Sequence, residues 1–319
     1  MKKNILKESQ SAIDKAVALL KSRKLVSIKT ETVYGVACDP SNIYSIKKVY
    51  QLKKRPLYNP LIIHVSSMKM AEEIAVFSND AKNLAKNFWP GPMTLILPKR
   101  QNEKIHDFAV SGLNTIAIRI PKSKIFQEII NQFKRPLAAP SANESGYISA
   151  TDAQHVIDSF GNQVELVIDS GRSALGLEST IVDLTTNSYL IRRLGVIDER
   201  EILKVTKIKV RISKNQKNNL KPNSPGQLEK HYAPKTPLQM NVKKPQKDDA
   251  FLDFGKKTLM THSPYLNLSK NSNLNEAAYN LFDYLRKLDK LRKKRIAVAP
   301  IPNQGIGKTI NERLCRASV

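Results

Sequence analysis

The chain has 319 residues, enough for one large domain or two ordinary ones with a buried core. It contains no run of 18 or more apolar residues and no apolar signal segment behind its basic N-terminus, so the sequence predicts neither a membrane span nor export. The two cysteines, Cys38 and Cys315, lie far apart without metal-ligand spacing. This argues against a disulfide framework and a zinc site and predicts a cytoplasmic protein.

The strong positive charge leaves several partners open. Lys and Arg number 53 against 28 Asp and Glu, which gives a net charge of +25. Such an excess is typical of proteins that bind nucleic acid, a membrane surface or anionic small molecules. The lysines are spread along the chain, however, so a general enrichment in lysine explains the charge about equally well.

The first part of the chain predicts alternating helices and strands. An amphipathic helix is predicted over 9–24 and a strand over 25–28. The polar segment 30–35 follows that strand directly, where α/β proteins usually bind their ligands. Ser41 is predicted to cap the next helix, which ends shortly before Pro56.

A cationic loop joins that helix to a short apolar strand over 61–65, which carries His64. The charged and turn-forming residues of the loop are Lys53, Lys54, Arg55, Pro56, Asn59 and Pro60. A loop at a strand edge that is rich in donors and stiffened by proline is suited to binding an anion.

Further strands are predicted over 93–97, 115–120, 137–139, 164–169, 179–183 and 189–195. Arg119 interrupts the apolar pattern of its strand, and a buried arginine is costly unless it is paired or holds a ligand. Strands separated by helices, with some adjacent strands, predict an α/β domain with a mixed sheet that ends near residue 205.

The composition then changes. Residues 206–234 are basic, rich in asparagine and broken by prolines, as in a linker. Two motifs within them, Ser224-Pro225-Gly226 and His231-Tyr232-Ala233-Pro234, are too distinctive for a spacer. A smaller α/β unit is predicted over 235–319, with strands near 250–252 and 295–299, a helix over 273–291 and a final helix.

Several common sites are disfavoured. Gly305-Ile306-Gly307-Lys308-Thr309 has Pro302 where a P-loop needs glycine, so it predicts a helix start. No G-x-S-x-G elbow is present, and the histidines show no metal-ligand spacing. We interpret His106, His155 and His262 as structural.

A dispersed set of polar residues lies at predicted strand ends and adjoining loops. Its cations would balance a polyphosphate, with forked contacts from arginine and point charges from lysine. Spacing alone leaves open that most of them are solvated surface charges. The set is Thr32, Lys53, Arg55, Asn59, His64, Arg119, Ser141, Asn143, Ser179 and Arg193.

The order of several motifs closely resembles the threonylcarbamoyl-adenylate synthase family in its long, two-domain form. These motifs are Thr30 to Gly35, Lys53-x-Arg55-Pro56-x-x-Asn59-Pro60-Leu61, Trp89-Pro90-Gly91-Pro92-x-Thr94, Ala139 to Asn143, Glu178 to Asp183, and the two linker motifs. The resemblance implies a YrdC-like α/β catalytic domain over 1–205, with a twisted mixed sheet flanked by helices. It also implies a linker over 206–234 that closes on the site as a lid, and a smaller Rossmann-like α/β domain over 235–319.

The resemblance implies a nucleotidyltransferase that joins L-threonine, bicarbonate or CO2, and ATP into threonylcarbamoyl-adenylate and releases pyrophosphate. The product serves threonylcarbamoyladenosine formation at position 37 of tRNAs that read ANN codons. The implied partners are a downstream tRNA threonylcarbamoyl transferase complex and, weakly, tRNA itself. Magnesium is expected to arrive with the nucleotide, without a metal site of the protein's own.

Site residues follow from the same resemblance. Lys53 and Arg55 are expected to be catalytic. Thr32, His64, Arg119, Ser179 and the backbone of Ala139 are expected to hold L-threonine, with Arg119 pairing its carboxylate. The residues expected to contact ATP are Arg55, Asn59, Thr115, Ser141, Asn143, Ser149, Arg193 and Tyr232.

Three departures stand out. Lys54 occupies a position where the family often has glycine, the linker motif continues as Gln227-Leu228-Glu229-Lys230, and the second domain is short. Two alternatives remain from the sequence. One is an RNA-binding protein of the same fold without synthase activity, suggested by the charge; the other is a carbamoyl-transfer module of the wider superfamily.

Overall fold

The computed structural model describes residues 4–213, 231–256 and 264–318. Its helices are α1 (Gln10–Lys21), α2 (Ile43–Leu52), α3 (Met68–Ile74), α4 (Asn79–Phe88), α5 (Lys124–Phe133), α6 (Ala153–Phe160), α7 (Glu199–Thr206), α8 (Leu274–Asp289) and α9 (Ile306–Ala317). The predicted linker motif at 224–226 and His262 lie outside the described residues. Within the described ranges, no helix is both long and apolar enough to cross a membrane.

Strands form three sheets in the described part of the chain. The first fourteen are β1 (Ile5–Lys7), β2 (Val26–Lys29), β3 (Tyr34–Ala37), β4 (Ile62–His64), β5 (Met93–Pro98), β6 (Thr115–Arg119), β7 (Leu137–Ala138), β8 (Leu166–Asp169), β9 (Thr180–Asp183), β10 (Leu190–Arg193), β11 (Arg211–Ile212), β12 (Leu238–Gln239), β13 (Asp249–Asp253) and β14 (Tyr265–Asn267), and β15 spans Arg295–Val298. The order of strands is β1-β8-β2-β3 in one sheet, β11-β10-β9-β5-β6-β4-β7 in the second and β12-β15-β13-β14 in the third. The first two sheets mix parallel and antiparallel pairs, whereas the third is parallel throughout. The α/β fold with a mixed sheet is confirmed.

The seven-stranded sheet has two different faces because side chains alternate along each strand. Ile63 of β4 and Ile118 of β6 point into the main core. Their neighbours Ile62 and Ala117 belong to a small apolar cluster apart from that core. His64 and Arg119 follow at the same register, so they extend this second face.

Helix α2 begins one residue later than predicted. Asn42, not Ser41, is its cap, because the Asn42 side chain accepts from the Ser45 N–H at 3.1 Å. The Ser41 hydroxyl instead donates to Asp39 at 2.7 Å. The helix ends at Leu52, and Lys54 then adopts a left-handed φ of 49°. The left-handed backbone explains why glycine suits this position.

The Gly305 to Thr309 segment is the start of α9, as the sequence predicted. A Cβ on Gly307 would lie 2.0 Å from the Pro302 carbonyl oxygen, so this glycine permits a close approach of two backbones. The Lys308 ammonium pairs with Glu199 at 2.6 Å and the Thr309 hydroxyl donates to the Gly195 carbonyl at 2.7 Å. Both side chains therefore dock α9 on the first part of the chain rather than hold phosphate.

The C-terminal unit shares an apolar core with the rest of the protein. Val33, Ile148 and Leu177 pack in one cluster with residues of α8 such as Leu281 and Phe282. Polar contacts frame this cluster, including the Tyr147 hydroxyl, which donates to Asp289 at 2.6 Å. The C-terminal unit is consequently part of the environment of any site near residues 147–178.

Candidate active site

One cavity collects residues from the polar motifs of the sequence. Its lining is Thr30, Thr32, Val33, Tyr34, Gly35, Arg55, Ile62, His64, Arg119, Ala139, Pro140, Ser141, Glu178, Ser179, Arg193 and His231. All five residues expected to hold L-threonine are among them, as are Arg55, Ser141 and Arg193 from the nucleotide set. Three arginines against one glutamate make the cavity suited to anions.

Arg119 has a buried partner that the sequence analysis missed. Its Nη2 lies 2.7 Å from Glu31 Oε1, with side-chain exposures of 4% and 9%. Nη1 donates to the Thr32 hydroxyl and Nε to the Gly91 carbonyl, both at 3.0 Å. Arg119 is thus compensated before any ligand binds. Glu31 precedes Thr32 in the sequence motif. Because a buried arginine needs a partner, this neighbouring carboxylate was the signal in the sequence that could have identified Glu31.

His64 lies beside Arg119 on the adjacent parallel strand. Its ring packs 5.1 Å from that of Phe126, and its Nδ1 has no hydrogen-bond partner among the described residues. Burial, reinforced by the charge of Arg119, lowers the pKa of His64 to about 3. The imidazole is therefore neutral at physiological pH and can hydrogen-bond a ligand without adding charge.

Two residues of the expected nucleotide set, Asn59 and Thr115, lie at the other end of the same two strands, whereas Ser141 and Arg193 line the cavity together with Arg119. Thr115 begins β6, about 13 Å from Arg119 at the usual rise per strand residue. Because Ile62 pairs with Ala117, the same register places Thr115 opposite Pro60, the residue that follows Asn59. Arg55 donates to the Asn59 carbonyl at 2.9 Å and to Asn59 Oδ1 at 2.6 Å. The Asn59 Nδ2 is buried without a partner in the described ranges, which leaves a donor for a ligand.

Lys53 does not line the cavity but ties two motifs together. Its ammonium donates to the Ser141 carbonyl at 2.5 Å and to the Asn143 carbonyl. Burial, together with the charge of Arg55, lowers the pKa of Lys53 well below its ordinary value. Asn143 donates in turn to the Glu144 and Tyr147 carbonyls at 2.7 and 2.8 Å. In this structure Lys53 and Asn143 shape the wall that presents Ser141.

Lys54, the departure from the family pattern, also lies outside the cavity. Its ammonium pairs with Glu144 at 3.1 Å, and its side chain is 74% exposed. The additional cation is therefore on the outer surface of the cationic loop in this structure.

Arg193 and Glu178 complete the opposite wall. Arg193 donates to the Ser179 carbonyl at 3.0 Å and to its hydroxyl at 2.9 Å, and that hydroxyl also bonds Thr94 at 2.8 Å. Glu178 accepts from the Ser149 hydroxyl at 2.5 Å. Burial raises the pKa of Glu178, but the charges of Arg313 and Arg193 outweigh burial and hold it below its ordinary value.

The linker residue Tyr232 is completely buried behind the cavity. Its ring stacks on Phe282 at 5.5 Å, and its neighbour His231 reaches the cavity lining. Tyr232 Oη and His231 Nδ1 are buried without partners among the described residues. The N–H of Ala233 donates to the Gly146 carbonyl at 2.8 Å, which fixes the segment against the wall that follows Asn143.

Two family models match most of the chain. A family model described as "Telomere recombination" matches residues 18–195, and one described as "Threonylcarbamoyl-AMP synthase, C-terminal domain" matches residues 197–319. The chain is 34% identical to threonylcarbamoyl-AMP synthase of Pyrococcus abyssi over 95% of this chain and 93% of that protein. It is 32% identical to the Bacillus subtilis protein of the same name, over 98% of this chain and 94% of that protein.

A solved structure agrees over the same length. The crystal structure of P. abyssi Sua5 complexed with L-threonine matches with a TM-score of 0.89 and 32% identity, covering 99% of this chain and 96% of that one. The chain therefore belongs to the threonylcarbamoyl-AMP synthase family.

Proposed function

We propose that the cavity joins L-threonine, bicarbonate or CO2, and ATP into threonylcarbamoyl-adenylate and releases pyrophosphate. One observation carries the proposal: three buried arginines, Arg55, Arg119 and Arg193, converge on one cavity. Around it, buried polar atoms of Asn59 and His64 have no partner in the described part of the chain. Such atoms are costly unless a ligand satisfies them.

The chemistry requires two anions to react. The threonine amine first forms a bond to the carbon of CO2 and loses a proton, or reacts with bicarbonate as water leaves, which gives a carbamate. A carbamate oxygen then attacks the α-phosphorus of ATP, and the bond to the bridging oxygen breaks as pyrophosphate leaves. Fixed cations lower the repulsion between carbamate and triphosphate and stabilise the charge that develops on the leaving group. No covalent nucleophile is needed, so the chain acts by positioning and electrostatics.

The two ends of the site suit the two substrates. Thr32, His64, Ser179 and the Ala139 backbone surround Arg119, and we assign this end to L-threonine. Its carboxylate would share Arg119 with Glu31, and neutral His64 would contribute a hydrogen bond. Arg55, Asn59, Thr115, Ser141, Ser149 and Arg193 are assigned to ATP, with Lys53 and Asn143 holding the Ser141 wall and Tyr232 closing on the nucleotide.

Magnesium would be held mainly by the triphosphate. Groups of three or more metal-ligating side chains are absent from the described residues. Glu178, the carboxylate of the cavity, is already engaged by Ser149 and Arg313. Bound to the phosphates, the ion supplies charge neutralisation, while the arginines orient the groups that react.

Substrates need more room than this conformation provides. The cavity has a volume of about 50 Å³, whereas small-molecule sites usually occupy about 300 to 1,000 Å³. The segment at His231 and Tyr232 lies against the site through the Ala233–Gly146 hydrogen bond. We assign the linker over 206–234, between domains at 1–205 and 235–319, the role of a lid that opens for substrates and excludes water from a labile product.

The decisive assay is pyrophosphate release that depends on both threonine and bicarbonate. Arg55→Ala and Arg119→Ala are expected to abolish pyrophosphate release. Arg135→Ala should retain it, because the Arg135 side chain is 58% exposed and its Nη1 lies 3.6 Å from the Asp39 carboxylate. Protein that releases no pyrophosphate but binds tRNA with a steep salt dependence would instead support the RNA-binding alternative. Activity that requires carbamoyl phosphate in place of threonine would support the carbamoyl-transfer alternative.

The product fits a place upstream of tRNA modification. A mixed anhydride of a carbamate and a phosphate is an activated acyl donor, so it requires an acceptor enzyme. We propose that a tRNA threonylcarbamoyl transferase consumes it in the cytoplasm, with weak tRNA contact through the basic surface of this chain.

A further inference from the structure

A buried arginine of the C-terminal unit reaches the wall of the proposed active site. Arg313 lies on α9, and its side chain is 0% exposed. Its Nε donates to Glu178 Oε2 at 3.0 Å and its Nη2 to the Leu194 carbonyl at 2.6 Å. The guanidinium also lies 4.6 Å from the centroid of the Tyr232 ring.

These three partners come from three separate parts of the catalytic region. Glu178 precedes β9 and lines the cavity, Leu194 follows β10 directly after Arg193, and Tyr232 belongs to the linker. A planar guanidinium satisfies a carboxylate, a carbonyl and an aromatic face at once, which an ammonium on a flexible stem does not. Arg313 is consequently a single junction between the cavity wall, the Arg193 strand and the linker.

We infer that Arg313 is a positioning residue for the synthase reaction, through which the C-terminal domain holds Glu178 and Tyr232 in place around ATP. It touches no substrate and acts through these two residues. The inference rests on the proposed function, and it assigns the C-terminal domain a direct part in the geometry of the site rather than a separate activity.

Charge balance supports the inference. Glu178 is buried, and the charged groups that face it are Arg313 and Arg193, with Glu312 beside Arg313. Without Arg313, burial would raise the pKa of Glu178, with Arg193 and the hydrogen bonds to the carboxylate, including that from Ser149, left to oppose it. The protonated carboxyl would no longer attract the Arg193 charge, and its hydrogen bond with the Ser149 hydroxyl would shift. A displacement of about 1 Å in such a site costs on the order of 100-fold in rate.

Arg172 provides a matched control. It also crosses between the domains, with its guanidinium 4.0 Å from the Tyr279 ring centroid, a carboxylate of Asp283 at 3.6 Å and the Tyr279 carbonyl at 3.1 Å. None of these partners lines the cavity. Full-length Arg313→Met, Arg313→Lys and Arg172→Met proteins should be compared for the kcat and KM of pyrophosphate release, for the pH profile and for thermal midpoint.

We expect Arg313→Met and Arg313→Lys to lose about 30- to 100-fold in kcat/KM, with the larger part in kcat and in the KM for ATP, while Arg172→Met stays within about threefold. The methionine variant should also gain an acidic limb in its pH profile, with activity that falls as Glu178 takes up a proton. If Arg313→Met does not fold, Arg313→Lys decides by the same criterion.

The inference is overturned if the Arg313 variants lose no more than Arg172→Met, or if their whole loss follows the decrease in thermal midpoint and disappears at low temperature. Wild-type protein that releases no pyrophosphate contradicts the proposed function, and the inference is refuted with it. Active wild-type protein with unaffected Arg313 variants refutes the inference alone.

Discussion

The buried pair of Glu31 and Arg119 gives a quantitative prediction. Replacing Glu31 by glutamine leaves the Arg119 charge in a site where the two side chains are 9% and 4% exposed, with the neutral Thr32 hydroxyl and Gly91 carbonyl as its other partners among the described residues. Removing one partner of a buried pair costs about 3 to 5 kcal/mol, because the remaining charge is desolvated without compensation. At about 2 to 4 °C per kcal/mol for a domain of this size, the thermal midpoint should fall by at least about 6 °C.

A double-mutant cycle separates this effect from simple loss of packing. Arg119→Met should also be destabilising, since it removes the cation that faces the buried Glu31 carboxylate and leaves the Lys122 N–H, at 3.0 Å, as a donor to it. The double variant Glu31→Gln/Arg119→Met should be less destabilised than the sum of the single variants, by about 2 kcal/mol. Thermal and urea unfolding of the four proteins without ligands measures the coupling.

Additive effects of the two single substitutions on the free energy of unfolding would refute this reasoning. If Glu31→Gln melts with the wild type, or if the two single effects add within about 0.5 kcal/mol, the pair does not compensate the buried charge and Arg119 is free for the substrate carboxylate alone. Glu73→Gln is the control for the amide substitution, because the Glu73 pair with Lys104 is 40% exposed and contributes little.

Two further variants test single residues. The pKa of His64 is about 3 in the folded protein and about 6.5 in the unfolded chain, so its contribution to stability is complete above pH 6.5 and is lost as the pH falls towards 3. Between pH 7 and pH 5, the free energy of unfolding of the wild type, measured in urea, should fall by about 2 kcal/mol more than that of His64→Gln. Equal losses in the two proteins would contradict the shift. Lys54→Gly should raise the free energy of unfolding by up to about 1 kcal/mol, because the φ of 49° is unfavourable for lysine. The control Lys54→Ala should bring no such gain. A less stable glycine variant with reduced pyrophosphate release would show instead that Lys54 serves the site.

The sequence predicted residues that line one cavity better than it predicted the partners of those residues. Arg119 was recognisable because it interrupts an apolar strand, and His64 because its strand follows the cationic loop; alternation along β4 and β6 places both on one face. Lys53 was expected to act on substrate, yet its ammonium binds backbone carbonyls of a motif far along the chain. Such pairings depend on how distant segments meet, and local patterns carry no signal for them.

The same limit applies to the contacts between domains. Nothing in the local sequence of α9 distinguishes Arg313 from the exposed arginines, because its burial is decided by Glu178 and Tyr232 from elsewhere in the chain. Glycine signals were more informative. The frequent glycine of the family at position 54 matches a left-handed backbone that this chain reaches with lysine. Gly307, at first suggestive of phosphate binding, serves a close backbone contact.

The shared apolar core limits how the protein can be divided. Val33, Ile148 and Leu177 are 0 to 6% exposed and share one apolar cluster with residues of the C-terminal unit, including those of α8. Cutting the chain after the linker would expose this apolar surface next to the cavity. A fragment made of the first domain alone should therefore aggregate and should not be an active enzyme. Exchanging C-terminal domains between relatives would likewise succeed only if the surface under α8 were transplanted with them.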